Sequence, residues 1–223
     1  TITALDRQIN ASIVDTLRRH MPHFGIISEE AEAYLPQAEW RWVLDPVDGT
    51  ASFARGYPIW GLGLGLLHHD QPVEGYLRCP ATNETFCAAE GRVWRNGAIV
   101  AAHPAPTLPD MRNLLVGSSL ERDFPYHKVR YAKIRNFGSA LYHLACLAVG
   151  RADAVVLPPA GLWDLVAGLA MTRPMGMVEV HLDGSPFDLG RLANDAVHHY
   201  REPRTLLIGK PEEVQQLLAA LSA

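Results

Sequence analysis

The chain has no uninterrupted apolar run near the roughly 18 residues that a membrane-spanning helix needs, which argues against a helical membrane protein. It has no large charge excess either. Twenty Lys and Arg against 24 Asp and Glu leave a formal net charge of −4, and the basic residues are scattered rather than striped. Neither nucleic acid nor an anionic membrane is therefore expected as a partner. Cysteine is scarce: Cys79, Cys87 and Cys146 form an odd set with no zinc-ligand or redox spacing. They read as reduced residues of a cytoplasmic protein. There is no secretory leader pattern and no initiating Met. The chain opens on Thr1 with a helical pattern already under way, so a further N-terminal helix is expected to precede it. Internal repeats and low-complexity segments are absent.

What is present reads as an ordinary globular composition, 48% hydrophobic and 20% charged, sufficient for one large domain. Ile2, Leu5, Ile9, Ile13 and Leu17 recur at helical spacing and predict an amphipathic helix over about 4–20. A short apolar stretch, 24–27, leads into SEEAEAYLPQAE, read as an acidic loop. Residues 40–44 form a strand that DPVDGT is expected to break. From Pro58 to about residue 100 the pattern is successive hairpin strands, with turns at 68–70, 80–83 and 90–91. The Ala/Pro-rich stretch 101–112 reads as a connector. Beyond it come strands at 114–117, 131–137, 152–157, 177–182 and 205–208. Helices are expected in SALYHLACLAVG, in WDLVAGLAMTRPMG and in the terminal PEEVQQLLAAL. The expectation is a single domain over 1–223, with an N-terminal α/β half to about 105 and a C-terminal half from about 106.

The chemistry concentrates in WVLDPVDGTASF, Trp42 to Phe53. Asp45 stands at a strand end, Asp48 three residues on, and Val47 between them offers a carbonyl oxygen. Hard divalent cations take such all-oxygen sets. A carboxylate shared by two ions suits in-line displacement at phosphorus. Gly49 and Thr50 follow at once; if a short helix starts there, its N–H groups suit a phosphate and the Thr50 hydroxyl a water. Taken alone, DPVDG is equally a surface turn.

The segment resembles the first signature of the inositol monophosphatase superfamily of Mg²⁺-dependent, lithium-sensitive phosphatases. WDLVAGLAM at 163–171 is similar to the second signature. SEE at 28–30 corresponds to the family's acidic loop, with Ser28 in place of its glycine. RNFGSA at 135–140 and GSPFD at 184–188 match later segments in family order. The resemblance implies a phosphomonoesterase with the α/β (α+β) fold of a five-layer α-β-α-β-α sandwich. It implies Mg²⁺, two or three ions, held by Glu29, Asp45, the Val47 carbonyl, Asp48 and Asp164, with Asp45 bridging. Thr50 then helps activate water, hydrogen-bonded by Asp6, and Glu30 supports. Gly49, Thr50, Gly138, Ser139 and Ala140 contact substrate. A small phosphate ester, a cytoplasmic location and a homodimer are also implied.

An inositol monophosphate-type ester is the substrate implied first. Histidinol phosphate, 3′-phosphoadenosine 5′-phosphate and fructose 1,6-bisphosphate are alternatives among relatives, as is a non-enzymatic role in an RNA-related complex. The chain departs from the family at Leu157, where inositol-cleaving members carry a glutamate, and in the adjoining PPAG loop. Leucine accepts no hydrogen bond from a sugar hydroxyl. The family's E-A-G-G is replaced by RPMGM at 173–177, where Arg173 favours a helix C-terminus. Ser118 and Ser119 read as a helix cap, Arg55 as a surface residue and Trp60 as core packing. The His68–His69 and His198–His199 pairs read as exposed loop ends. His103 and His127 are isolated, and His143 lies within a helix as a core or surface residue.

Overall fold

The computed structural model describes residues 4–101, 112–120, 124–131 and 133–222. The connector therefore lies almost wholly outside the described residues, as does His103. The first helix, α1 (Ala4–His20), forms where the periodicity predicts it. Its deepest stripe is Asp6, Asn10, Val14 and Leu17, while Leu5, Ile9 and Ile13 flank it half-buried. Two of those four buried residues are polar, so the apolar pattern marks the side of the packed face rather than its centre.

Eight strands build the first sheet: β1 (Gly25–Ser28), β2 (Ala31–Tyr34), β3 (Trp40–Asp48), β4 (Gly61–His68), β5 (Gln71–Cys79), β6 (Glu84–Ala89), β7 (Arg92–Arg95) and β8 (Ala98–Ile99). Their order is β2-β1-β3-β4-β5-β6-β7-β8, and β1 with β3 is the parallel pair. Two expectations are corrected here. The acidic stretch is not a loop: Glu29 and Glu30 form the turn of a hairpin whose second arm is β2. DPVDGT does not break its strand either, because β3 runs on to Asp48 with an irregularity between Asp45 and Asp48. Pro46 is accommodated at that irregularity, where no ladder hydrogen bond is required of it.

The helix α2 (Thr50–Ala54) follows β3 directly. The second sheet has the order β10-β9-β11-β15-β13, from β9 (Asn113–Val116), β10 (Lys133–Arg135), β11 (Ala154–Leu157), β13 (Val178–His181) and β15 (Leu206–Gly209). Between the sheets lie α3 (Ala140–Ala148) and α4 (Val166–Thr172), which pack on each other, α4 against β4 and β5 and α3 against β11. A terminal helix, α6 (Pro211–Ser222), covers the far face of the second sheet. The layers thus run α1, sheet, α3 with α4, sheet, α6: the expected α-β-α-β-α sandwich.

Three hydrophobic clusters follow from the strand alternation. In β11, Val155 and Leu157 face the central helices, whereas Ala154 and Val156 face Val214 and Leu217 of α6. On the other side Trp42, Leu44 and Leu66 meet Val14 and Leu17 of α1. Fully burying each such leucine contributes roughly 1.5–3 kcal/mol. The central helices sit close to the first sheet because glycines face them. A Cβ on Gly75 would stand 2.2 Å from the Ala167 carbonyl oxygen, and one on Gly65 2.6 Å from Val166.

A two-stranded ribbon, β12 (Ala160–Gly161) with β14 (Arg201–Glu202), and the short helix α5 (Leu189–Ala193) carry no pattern legible at their length. The helix predicted from Trp163 is in three parts: a 3₁₀ turn at Leu162–Asp164, α4, and a second 3₁₀ turn at Arg173–Met175. Arg173 bonds Glu179 through Nε at 2.7 Å and also reaches Gln71, so its charge is used within the fold. All three cysteines are free. Among the described residues no helix is long and apolar enough to cross a membrane.

Candidate active site

Two carboxylates three positions apart on a regular strand point to opposite faces. Here they share one. Asp45 is opposite Gly63 and Asp48 is opposite Gly61, so three steps along β3 match two along β4. The extra residue is a bulge, which re-aims the second aspartate. Both are buried, at 1% and 5% exposure. The Val47 N–H donates to Asp45 Oδ1 at 3.0 Å and fixes the bend.

Asp48 then meets α3. Its carboxylate accepts from the Ala140 N–H at 3.1 Å, the Leu141 N–H at 2.8 Å and the Ser139 hydroxyl. Ser139 also caps the helix, accepting from the Tyr142 N–H at 3.1 Å. A helix N-terminus stabilises negative charge. Close approach of the two loops depends on Gly49, in the left-handed region at φ 84°, where a Cβ would stand 3.1 Å from the Gly138 carbonyl oxygen. The hydroxyl of Ser139 and the N–H of Ala140 are thus turned to Asp48, and the two residues reach the cleft only through their remaining surface.

Asp164 comes from the 3₁₀ turn before α4. Its Oδ2 accepts from the Gly161 N–H at 2.7 Å, on the ribbon strand β12. Asp45, Asp48 and Asp164 each present an oxygen, all within 4.8 Å of one another. Burial first, then Asp48, Asp164 and Glu29, push the Asp45 carboxyl well above its usual range. Burial and then Asp48 raise Asp164 to about 7, against the opposing Gly161 bond. Burial also raises Asp48, but its donors from Ser139, Leu141 and Ala140 pull it back. Three converging carboxylates that repel one another in a buried place suit a hard divalent cation, since oxygen-only donors favour Mg²⁺ or a similar ion.

Glu29 stands at the rim, with its side chain reaching solvent, and is not one of the converging three. Lost hydration, then Glu30, raise its carboxyl, while Arg201 opposes. Ser28, in the family's glycine position, donates to Asn10 Oδ1 at 2.6 Å and ties the acidic turn to α1. The Thr50 hydroxyl donates to the Val47 carbonyl at 2.8 Å, whereas Asp6 Oδ1 lies 3.5 Å away. One proton serves one strong acceptor, so the expected Thr50–Asp6 link is the long one and the carbonyl has the short one.

A cavity of about 280 Å³ adjoins Asp48 and Asp164 and is lined by Ser118, His143, Leu157 and Pro158. Leu157 and its neighbours therefore border the carboxylates, as the departure from the family suggested. His143 is buried on α3, its Nε2 accepting from the Phe137 N–H at 2.9 Å, and burial lowers it to about 4. Ser118 and Ser119 open a 3₁₀ turn rather than cap an α-helix, and both line this cavity. A larger cavity of about 640 Å³ lies beyond Glu29 and Glu30. It does not touch Asp45, Asp48 or Asp164, so the smaller one is the candidate site. Arg201 has no precursor in the sequence reading. The β12–β14 pairing sets it opposite Gly161, with its guanidinium over the Trp163 ring at 5.1 Å. It is exposed, and its charge is felt by both Glu29 and Asp164.

The model of the Inositol monophosphatase family matches residues 1–216. An inositol-1-monophosphatase of Synechocystis is 31% identical over 98% of this chain and 80% of its own length. A fructose-1,6-bisphosphatase/inositol-1-monophosphatase of Thermotoga maritima is 28% identical over 82% of the chain and 72% of its own. The Nus factor SuhB of Escherichia coli is 26% identical over 98% and 81%. Among solved structures, the inositol monophosphatase from Anabaena superposes with a TM-score of 0.81 at 26% identity, covering 99% of this chain and 87% of that one. An IMPase/NADP phosphatase complexed with Mg²⁺ and phosphate shares the fold, with a TM-score of 0.81 at 18% identity over 100% and 82%. The chain belongs to the inositol monophosphatase family, and it is a phosphatase.

Proposed function

We propose that the protein hydrolyses a phosphate monoester of a small metabolite with the help of Mg²⁺, and that Glu29, Asp45, the Val47 carbonyl, Asp48 and Asp164 hold the ions. The convergence of Asp45, Asp48 and Asp164 carries this reading. Glu29 and the Val47 carbonyl would hold one ion, Asp48 and Asp164 a second, and Asp45 would be shared between them. Bound there, Mg²⁺ supplies Lewis acidity toward the phosphate and the attacking water. The Thr50 hydroxyl orients that water, with Asp6 and Glu30 in support. The backbone N–H groups of Gly49 and Thr50 hold a phosphate oxygen. Gly138, Ser139 and Ala140 shape the wall against which the ester lies. Two or three ions, inhibition by lithium, a homodimer and a cytoplasmic location belong to the same proposal.

Leu157 favours an alcohol with an apolar face over a polyol, because it offers hydroxyls no acceptor. An inositol monophosphate-type ester remains the first compound to assay, with histidinol phosphate, 3′-phosphoadenosine 5′-phosphate and fructose 1,6-bisphosphate beside it. The test is phosphate release from this panel, with and without Mg²⁺. Metal-dependent release from one ester is expected; no release from any by folded protein overturns the reading. The Nus factor name of one relative supports a second role, as a partner in an RNA-related complex. A scaffold kept for that role alone would be expected to have lost some of the carboxylates, and Glu29, Asp45, Asp48 and Asp164 are all present. A cellular phenotype untouched by Asp45→Asn would favour it.

A further inference from the structure

The other end of β3 carries a second group of metal-type ligands. Glu39 immediately precedes the strand, and His68 and His69 sit where β4 turns into β5. Glu39 Oε1 lies 2.8 Å from His68 Nε2 and 3.2 Å from His69 Nε2. The three ligand atoms all fall within 4.8 Å of one another. Adjacent residues on a strand point to opposite faces, but His69 leaves the strand at φ 45°, and its ring comes to 4.3 Å from that of His68. The His69 N–H donates to the Glu39 carbonyl at 3.1 Å, which closes the turn onto the start of β3. The ring of His68 is held in place by stacking on Trp40 at 3.8 Å, and Trp40 in turn stacks on Phe24 at 5.8 Å.

We propose that Glu39, His68 and His69 form a surface site for a borderline divalent cation of the Zn²⁺ class. Ligands about 2.0–2.2 Å from one ion lie roughly 3–3.5 Å apart, close to the 2.8 and 3.2 Å from Glu39 to the two imidazoles, and the imidazole nitrogens lie within 4.8 Å of each other. Imidazole selects Zn²⁺, Ni²⁺ or Co²⁺, whereas an all-oxygen set selects Mg²⁺. The side chains are accessible, at 55% exposure for Glu39, 33% for His68 and 70% for His69, so an ion can enter and water can complete its coordination. Trp40 and Asp45 are five strand positions apart, about 17 Å. The site is therefore separate from the carboxylates. Its effect is to clamp the beginning of β3 to the β4–β5 turn. That turn also carries Asp70, which pairs with Arg41 and bonds Asn194 after α5.

The test is calorimetric titration of the whole protein with Zn²⁺ in excess Mg²⁺, together with the absorption spectrum of added Co²⁺. One bound Zn²⁺ and a raised thermal midpoint are expected. The same site should persist in Asp45→Asn. Replacement of His69 by Ala should weaken it at least about tenfold, since the loss of mere supporting partners costs ten- to a hundredfold. Mg²⁺-dependent phosphatase turnover should be unchanged in that variant. Glu39→Gln, which keeps the shape of the side chain, should weaken the site without disturbing the Trp40 stack. Zn²⁺ binding unaffected by either change, or lost in Asp45→Asn, overturns the proposal. So does the absence of Zn²⁺ binding in excess Mg²⁺.

Discussion

Asp48 and Asp164 face each other across the candidate site and are held in opposite ways. Asp48 rests on the start of α3 and accepts from Ser139, Ala140 and Leu141. Asp164 has the single Gly161 N–H on a two-residue ribbon. The first arrangement stabilises the charged form and opposes the effect of burial. The second leaves burial and repulsion to raise Asp164 to about 7. The Asp48 arm is thus organised in advance by the helix, whereas the Asp164 carboxyl is left pushed up to about 7, and a cation held there as proposed would favour its charged form.

Removing the group between the two arms has the largest expected effect. Asp45→Asn should lower turnover by about a hundred- to a thousandfold, the scale of losing one preorganised electrostatic group at a reacting phosphate, here through the ions Asp45 is proposed to hold. The same change removes a repelling carboxylate, so the metal-free protein should become more heat-stable. Calorimetry and a phosphate assay on one preparation check both. Turnover near that of the parent would remove Asp45 from the chemistry, and an unchanged metal-free midpoint would deny the repulsion.

Asp164 predicts the next effect. Its folded pKa is raised to about 7, above an unfolded value near 3.8. Between these the folded protein holds a proton that the unfolded chain has lost, so stability falls as pH rises from about 4 to about 7. Asp45, raised for the same reasons, adds to the fall. Thermal midpoints of the metal-free protein should follow that slope. Asp164→Asn should flatten it, and Mg²⁺ should restore stability most at the upper end. A metal-free midpoint that rises over this range would contradict the arrangement.

The two arms also differed in how far the sequence disclosed them. Asp45, Asp48 and Asp164 stand in two compact motifs, and the hairpins of the first sheet announce themselves by alternation and turn residues. What Asp48 leans on was hidden, because Ser139 lies 91 positions away and only the fold brings it near. The β3 bulge was hidden for a local reason: Pro46 reads as a breaker, although a bulge tolerates it. The ribbon under Asp164 and the helix α5 are two and five residues long, too short for any periodicity to show. Arg201 was missed with them, since only its pairing with Gly161 brings it to the site.

The Asp48 arm has its own test in Ser139→Ala. This removes a hydroxyl that both donates to Asp48 and caps α3, and a buried acceptor left short of a donor costs about 1–3 kcal/mol. Lower stability and a higher Mg²⁺ requirement should appear together. If stability falls while the Mg²⁺ requirement stays put, Ser139 is a helix cap and nothing more.

Arg201 gives the smallest effect and the sharpest contrast with Ser139. It is exposed and touches the Asp164 side through its field and its place over Trp163 rather than through a direct bond. An exposed charge of this kind is worth up to about 1 kcal/mol, or roughly fivefold in binding. It is a positive charge felt by Glu29 and Asp164, near carboxylates whose own charge opposes an incoming anionic ester. Arg201→Ala should therefore raise KM a few-fold at low salt and leave kcat unchanged. The difference from the parent should shrink as salt screens the charge. A fall in kcat with KM unchanged would mean that Arg201 acts on the arm carrying Asp164 instead of on the incoming phosphate.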